Sequence, residues 1–457
     1  MTVFNGEYSN DIKGYRDFSG GLNTDNISDA LSEKELLVAE NIDYSRRGNL
    51  SKRPDVSNYN STSYNMQVER VFEWIKENGQ SELMAVMADE YMYKIDGPDS
   101  KTQLFKLENT YIDNEVLKNY MYFLDGNNYY RIDDNLFNIE EVQPVDNSYY
   151  EYYSQEFEEV TATTYDLEFD NLKENTEVLQ DSFGEKGEYT KGTHYTVDYE
   201  LGKLTILDDP GIIGDTVFLE YDYYVESEVD LTNIKKCTMI KRHLKSNRFF
   251  ATGNPSDPSA LYYSEPLEPN NFKGYNVVYP ATNDGAIQAL EVLNDMLLVF
   301  FKNSVWAWRG IDPQQDAVWE KLPLKHGTFN NKTLETTLNT LTFVDKDGIY
   351  SIDSLKSAKN ITESKVNSII KSIGNRGKII STFVSRDSKY FLAYNTVNDK
   401  PDRMLVGDWN LGAYSIWTDI SLEDMIYTVD GEFYIVNGDT IYRWTDDINT
   451  NIPLRIK

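Results

Sequence analysis

One pattern recurs along most of this chain: an apolar strand, a short polar turn, and a second strand rich in aromatic side chains. Leu341–Val344, for example, is followed by the turn Asp345–Gly348 and then by Ile349–Ile352. Asn-Gly and Asp-Gly turns favour tight antiparallel hairpins because their backbone twist matches the twist of the strands they join. The pattern occurs seven times, at 83–95, 120–132, 248–264, 296–308, 341–352, 390–406 and 433–444.

The spacing of these hairpins predicts the architecture. In the second half of the chain they recur at intervals of about 40–50 residues, which is the length of a four-stranded propeller blade. We therefore expect an all-β fold, a β-propeller of about six blades, in which aromatic side chains fill the wedges between blades. A stacked array of β-sandwiches is the alternative architecture.

The hairpin pattern is interrupted at the amino end and in the middle of the chain. Ser32 and Glu35 have the spacing of a capping box, which predicts a short helix from Glu33 to about Glu40. A second, weaker helix is expected between Glu363 and Ser372. The predicted organisation is an amino-terminal extension with the short helix at 1–60, the first blades at 61–145, an inserted acidic β-domain at 146–230, and the remaining blades at 231–457.

Most of the negative charge of the chain lies in one segment. The formal net charge is −31, and residues 141–230 contain 24 Asp or Glu and 4 Lys, a net −20. The same segment alternates β-branched and aromatic residues between several glycines, which is typical of antiparallel strands. We therefore expect a small antiparallel β-domain inserted between two parts of the propeller. One long acidic loop is the alternative.

Two groups of cations lie outside this acidic segment. Residues 231–256 contain no Asp or Glu and carry Lys235, Lys236, Lys241, Arg242, Lys245 and Arg248. Four more cations follow the predicted amino-terminal helix: Arg46, Arg47, Lys52 and Arg53. Both groups are candidate contacts with a neighbouring subunit or ring, because complementary charge orients association. Ordinary solvated surface charge is the alternative.

The common signatures of catalytic and cofactor sites do not occur in the sequence. It has no nucleophile elbow, no P-loop and no dinucleotide fingerprint, and His194, His243 and His326 are not at the spacing of metal ligands. Asp345–Gly348 resembles the start of a calcium loop, but its glycine comes early and no Glu follows at the twelfth position, so a hairpin turn is favoured. We expect no enzymatic activity, cofactor or metal.

Several simple features limit the cellular setting. The single cysteine, Cys237, excludes a disulfide framework within the chain. The first residues have no signal-peptide pattern, and the most apolar run, 289–301, is interrupted by polar residues and is too short to span a bilayer. We expect a protein made and kept in a cytoplasm, or exported only as part of something larger, without membrane insertion. An isoelectric point near 4.5 also argues against electrostatic wrapping of nucleic acid.

Two parts of the chain carry motifs of a known group of proteins. The first part contains Asp17-Phe18-Ser19-Gly20-Gly21-Leu22-Asn23-Thr24, then Glu40–Asp43 and Gly48–Pro54. The second contains Phe250–Pro255, Leu261–Ser264, Trp306 with Trp308, Gly327-Thr328 and Gly348–Tyr350. Over residues 17–55 and about 245–355 the chain resembles the tail-hub and nozzle β-propeller proteins of tailed bacteriophages.

This resemblance implies a structural virion protein without enzymatic activity. It implies a homo-oligomeric ring, commonly a hexamer, that lies in the tail below the portal and adaptor after assembly in the host cytoplasm. Such a ring encloses the DNA channel for genome retention and ejection and contacts other tail proteins. A channel lined with carboxylates would repel DNA phosphates, so that DNA passes without specific binding.

A carbohydrate- or receptor-binding β-protein of the phage tail or of a bacterial cell surface is the alternative function. In that case Trp306, Trp308, Trp409 and Trp417 would stack on sugar rings. Trp306 and Trp308 lie two apart in one strand and therefore point to the same face, so core packing competes with this interpretation.

Overall fold

The computed structural model forms two compact units, residues 1–142 with 233–267 and 277–457, and residues 143–232 with 268–276. The residues that it describes are 17–27, 30–44, 49–61, 63–76, 78–133, 139–144, 150–158, 160–161, 163–170, 172–181, 189–207, 212, 216–224, 231–274, 276–281, 283–315, 318–337, 339–353, 357–397, 400–448 and 455–456.

The strands before the insert are β1 to β14. Six short strands come first: β1 Gly21–Leu22, β2 Glu35–Leu36, β3 Ala39–Glu40, β4 Ile42–Tyr44, β5 Leu50–Lys52 and β6 Pro54–Asn58. Blade 1 consists of β7 Val68–Ile75, β8 Ser81–Met87, β9 Tyr91–Gly97 and β10 Ser100–Lys106. Blade 2 consists of β11 Asp113–Leu117, β12 Tyr120–Leu124, β13 Tyr129–Asp133 and β14 Ile139–Glu141.

The second unit contains β15 to β20 and is followed by a short helix. Its strands are β15 Tyr150–Phe157, β16 Thr164–Asp166, β17 Val178–Asp181, β18 Tyr195–Asp198, β19 Lys203–Ile206 and β20 Val217–Tyr224, and the helix is α1 Thr232–Lys235. Two three-stranded antiparallel sheets form, in the orders β15-β20-β17 and β16-β19-β18. Leu179, Leu204 and Leu219 are fully buried between them. The acidic segment therefore has a core of its own rather than being one long loop.

The remaining strands, β21 to β40, build five further blades. Blade 3 is β21 Met239–His243, β22 Arg248–Thr252, β23 Leu261–Tyr263 and β24 Val277–Val278; blade 4 is β25 Ile287–Leu293, β26 Met296–Phe301, β27 Val305–Trp308 and β28 Glu320–Lys321. Blade 5 is β29 Glu335–Thr336, β30 Thr340–Val344, β31 Ile349–Asp353 and β32 Ala358–Asn360. Helix α2, Asn367–Lys371, follows, and two 3-10 helices cover Asn331–Thr333 and Arg376–Lys378.

The last two blades use strands from both ends of the chain. Blade 6 is β33 Ile380–Val384, β34 Lys389–Tyr394, β35 Arg403–Asp408 and β36 Ala413–Trp417, extended by β3 and by β40 Arg455–Ile456. Blade 7 is β37 Asp424–Tyr427, β38 Phe433–Asn437 and β39 Thr440–Ile448, completed by β6 as its outer strand. An amino-terminal strand in a carboxy-terminal blade closes the ring.

The predicted β-propeller is confirmed, and the described residues contain seven blades where about six were expected. Each of the seven hairpins predicted from sequence is the second and third strand of one blade. The first strands lie side by side, with β37 against β7 and β33, and β21 against β11 and β25.

Burial varies across each blade in the way that this arrangement requires. The second strands β26 and β34 are buried at every position, whereas both residues of the outer strand β28 are exposed. A strand covered on both faces by neighbouring blades needs continuous apolar residues. Aromatic side chains fill the wedges: Trp417 of blade 6 stacks on Trp444 of blade 7 at 5.0 Å between ring centroids.

The predicted helix from Glu33 to Glu40 is wrong, since this segment contains strands β2 and β3. Half of the capping-box geometry is present, because the Ser32 N–H donates to Glu35 Oε2 at 2.9 Å. That bond closes a turn instead of a helix, because β2 pairs in parallel with β1 and thereby buries Leu36. The second predicted helix forms in its carboxy-terminal part only, as α2.

The Gly20-Gly21 motif packs directly on blade 6. Gly21 has φ +66°, and a Cβ atom there would lie 2.6 Å from the Tyr414 main-chain nitrogen. Glycine is therefore the residue that fits this backbone conformation and this close approach. Among the described residues, no helix combines the length and the apolar character needed to cross a bilayer.

Candidate functional site

The predicted cations between Lys235 and Arg248 lie on α1 and directly after it, on the first two strands of blade 3 and in the turn between those strands. Lys235 Nζ is 2.8 Å from Glu141 Oε1, and Lys245 Nζ is 3.8 Å from Asp295 Oδ2. Lys236 is partly buried.

The two arginines of this group donate mainly to main-chain carbonyls. Arg242 Nη1 donates to Val116 O at 3.0 Å. Arg248 is buried; its Nη1 donates to Ser264 O at 2.8 Å and its Nε to Ile311 O at 3.1 Å. These side chains hold loops and neighbouring strands of the propeller together. Their predicted contact with another subunit stays a prediction.

The amino-terminal cations that the structure describes also make contacts within the chain. Arg46 and Arg47 lie outside the described residues, and Lys52 is partly buried in β5. Arg53 is 3% exposed; its Nε donates to Asn41 Oδ1 at 3.2 Å, and its guanidinium lies 5.7 Å from the centre of the Trp417 ring. Arg53 therefore anchors the amino-terminal strands to blade 6.

Lys241 is the centre of a charged network between the first strands of three blades. Its Nζ is 3.4 Å from Glu115 Oε1 in blade 2 and 3.3 Å from Glu291 Oε2 in blade 4. Burial by itself would lower the pKa of Lys241, but Glu291 and Glu115 raise it above its ordinary value. Burial raises the pKa of Glu115 to about 7, against the opposing effect of Lys241. Burial also raises the pKa of Glu335, at the start of blade 5, to about 8. Glu115 and Glu291 thus share one ammonium group, and the raised pKa values of Glu115 and Glu335 favour their protonated forms near neutral pH.

The 3-10 helix Asn331–Thr333 bridges blades that are not neighbours in the ring. The Asn331 side chain hydrogen-bonds Tyr111, just before blade 2, and its Oδ1 accepts from the Leu290 N–H of blade 4 at 3.4 Å. Lys332 Nζ is 3.4 Å from Asp424 Oδ1 of blade 7. Bonds from one short segment to blades 2, 4 and 7 cross the ring, so this helix closes the propeller axis.

Beside this 3-10 helix lies a cavity of about 400 Å³ lined by residues of blades 1 and 6, of the two 3-10 helices and of the segments just before blades 2 and 7. Its lining includes the cations Arg70, Lys332, Lys378 and Lys400. Burial lowers the pKa of Lys332, and Arg70 acts in the same direction whereas Asp424 opposes it. Lys400 is ion-paired with Glu423. These pairs neutralise much of the positive charge of the cavity.

One histidine lies close to two carboxylates, although the sequence spacing did not indicate it. His326 Nδ1 is 2.7 Å from Asp345 Oδ2 and 3.7 Å from Asp347 Oδ1. These three side chains are the group in the described part of the chain whose geometry could hold a metal ion. His243 instead contacts Ser246 and the Asp295 carbonyl, and His194 accepts from the Thr190 N–H. The sequence signal was the Asp-x-Asp of the hairpin turn; the histidine is 19 residues earlier.

The four tryptophans of the carbohydrate-binding alternative pack inside the propeller to different degrees. Trp308 is 1% exposed and Trp417 is fully buried. Trp306 Nε1 donates to Asp284 Oδ2 at 3.0 Å, and Trp409 packs edge-on against Phe383 at 5.6 Å. Sugar binding stays a prediction that glycan-array binding would test.

Neither a family model nor a curated protein matches the sequence. Several solved structures are similar. PorZ, an essential bacterial surface component of the type-IX secretion system of Porphyromonas gingivalis, is 12% identical with a TM-score of 0.41; the match covers 84% of this chain and 37% of PorZ. YCF48 bound to D1 peptide is 10% identical (TM-score 0.42, 90% and 100% covered). The Neurospora crassa Pan2 WD40 domain is 7% identical (TM-score 0.44, 86% and 96% covered). These proteins are β-propellers with different functions, and the likeness concerns the fold alone.

Proposed function

We propose that this chain is a structural protein of a bacteriophage tail, without enzymatic activity, whose copies form a ring below the portal and adaptor. The ring surrounds the channel used for genome retention and ejection. The resemblance of residues 17–55 and about 245–355 suggests this role, and the distribution of charge between the two compact units is the observation that carries the mechanism.

The second unit carries most of the net charge. Residues 143–232 and 268–276 contain 24 Asp or Glu and 5 Lys, a net −19, whereas the rest of the chain carries 51 Asp or Glu and 39 Lys or Arg, a net −12. Glu156, Glu168 and Glu174 are exposed on this unit. A high density of negatively charged carboxylates repels the negatively charged phosphates of DNA over about a Debye length, ~8 Å at physiological salt.

Closure of the propeller axis supports a channel between subunits. Lys332 and Asn331 bond across the ring, so a DNA duplex would not pass through a single propeller. In our proposal the duplex passes through the opening that several copies enclose, and the acidic units border this opening. Repulsion then lets DNA move without adhering.

The oligomeric state tests the ring. Native mass spectrometry or mass photometry of the purified chain, alone and mixed with portal and adaptor, should find a closed ring, with six copies expected. A chain that stays monomeric in both conditions would contradict the proposal.

A DNA-binding measurement tests the repulsion. Fluorescence anisotropy with duplex DNA should find negligible binding at physiological salt, and tight binding would refute the mechanism. Changing Glu156, Glu168 and Glu174 together to Gln should increase DNA retention in the assembled ring. The matched control changes Glu108, Glu320 and Glu363, which are exposed acids of the propeller, and should have a smaller effect.

A further inference from the structure

We propose that His326, Asp345 and Asp347 form a binding site for a divalent transition metal ion such as Zn²⁺. The ligand atoms of the three side chains all lie within 4.8 Å of one another. Two atoms that each coordinate one ion at ~2.1 Å are at most ~4.2 Å apart, so small side-chain adjustments suffice.

The first argument is an unpartnered carboxylate oxygen. Asp345 is fully buried, and its Oδ2 faces His326 Nδ1. Its Oδ1 is also buried and has no hydrogen-bond partner among the described residues. A buried carboxylate oxygen without a donor is costly, and a bound cation would remove that cost.

The second argument compares Asp345 with its equivalent in blade 2. Asp125 follows β12 as Asp345 follows β30, and it is equally buried. However, Asp125 Oδ1 accepts from the main-chain N–H groups of Asn127 and Asn128, and its Oδ2 accepts from the N–H of Glu108. Main-chain N–H groups of the turn and of Glu108 therefore satisfy the aspartate at this position in blade 2, whereas Asp345 Oδ1 has no such donor.

The third argument is that the ligands are already held in place. His326 stacks on Tyr350 with 4.1 Å between ring centroids, and the Tyr350 hydroxyl donates to Asp347 Oδ1 at 3.0 Å. The adjoining Gly327 lies so close to blade 4 that a Cβ atom there would overlap the Phe301 carbonyl. Partners in the outer shell that orient metal ligands are typical of functional metal sites.

The donor set indicates the kind of metal. One imidazole nitrogen and two carboxylate oxygens suit Zn²⁺ or a similar first-row ion, whereas Mg²⁺ and Ca²⁺ prefer oxygen alone. Arg376 lies nearby, but its guanidinium donates to the carbonyls of Asp345, Lys346 and Ile370. Its charge reduces affinity without occupying the carboxylates. The ion would join the loop before blade 5 to the hairpin of that blade.

Metal content of the full-length chain tests this site. The chain is equilibrated with micromolar Zn²⁺ and excess Mg²⁺, desalted and measured by mass spectrometry for zinc. We expect about one Zn²⁺ per chain, a higher melting temperature with Zn²⁺, and loss of both effects in His326→Gln. His326 is partly exposed, so this variant should fold; Asp345→Asn is the second variant.

Matched controls are His194→Gln and Asp125→Asn, which should retain the bound zinc. If wild type binds no stoichiometric Zn²⁺, the three residues form an ordinary hydrogen-bonded group and the proposal is refuted. Equal zinc content in wild type and His326→Gln would also overturn it, because the ion would then occupy other carboxylates. Co²⁺ absorption bands that His326→Gln abolishes would identify the imidazole as a ligand independently.

Discussion

Glu335 should make the stability of the propeller depend on pH. The side chain interacts electrostatically with Lys241 and Glu291 of the charged network between the first strands, and its Oε2 accepts from the Phe383 N–H at 3.3 Å. Burial raises the pKa of Glu335 from 4.5 to about 8. Below pH 4.5 the carboxyl group is protonated in the folded and the unfolded chain. As pH rises from 4.5 towards 8, the unfolded chain loses this proton while the folded chain keeps it, so the free energy of unfolding falls.

The size of this effect follows from the two pKa values. Their difference of about 3.5 units corresponds to ~5 kcal/mol at ~1.4 kcal/mol per unit. Glu335 is partly exposed, and solvent screening reduces this to about 2 kcal/mol. Glu335→Gln removes the ionisable group and keeps the shape. We compare the free energy of unfolding of Glu335→Gln with that of wild type at each pH. This difference should be about 2 kcal/mol more favourable to the variant at pH 8.5 than at pH 5.

Urea and thermal denaturation followed by circular dichroism at pH 5 and pH 8.5 measure this difference. Glu363→Gln, at an exposed position, is the matched control and should change stability equally at both pH values. If Glu335→Gln also has the same effect at both pH values, the argument that burial keeps this carboxyl group protonated is wrong.

Three further substitutions, one of them with a control at Gly438, test the attachment of the amino-terminal strands to blade 6 and the charged network around Lys241. Gly21→Ala should lower the free energy of unfolding by about 2–4 kcal/mol, because φ is +66° and the Cβ atom would clash. The control Gly438→Ala has φ +62° but open space around the Cβ atom, and should lower it by about 1 kcal/mol. Urea denaturation measures both. Arg53→Ala should cost about 2–3 kcal/mol by leaving buried acceptors without donors, and a loss below about 0.5 kcal/mol would contradict this role. Lys241→Met should destabilise more at pH 8.5 than at pH 5, because the pKa of Glu115 is about 7 and its carboxyl group is neutral at pH 5; equal losses at both pH values would count against it.

Part of the candidate site could be found from sequence and part could not. The cations from Lys235 to Arg248 were visible as a stripe without acids, but their partners were not. Glu115 and Glu291 are 126 and 50 positions away from Lys241 in the sequence and meet it because the first strands of three blades converge. The sequence therefore suggested a free surface for docking, whereas the fold uses most of these cations internally.

The sequence by itself determined the seven hairpins and the position of the acidic unit. Both are local properties of the sequence. Turn residues and the alternation of side-chain types act over a few residues, and charge is counted along the chain. Tertiary structure alone decided that Ser32 to Glu40 becomes turn and strand, that β6 completes blade 7, and that His326 meets Asp345. The physical reason is that each of these outcomes depends on pairing between residues distant in sequence, Val56 with Trp444 for example, where burial outweighs local preference.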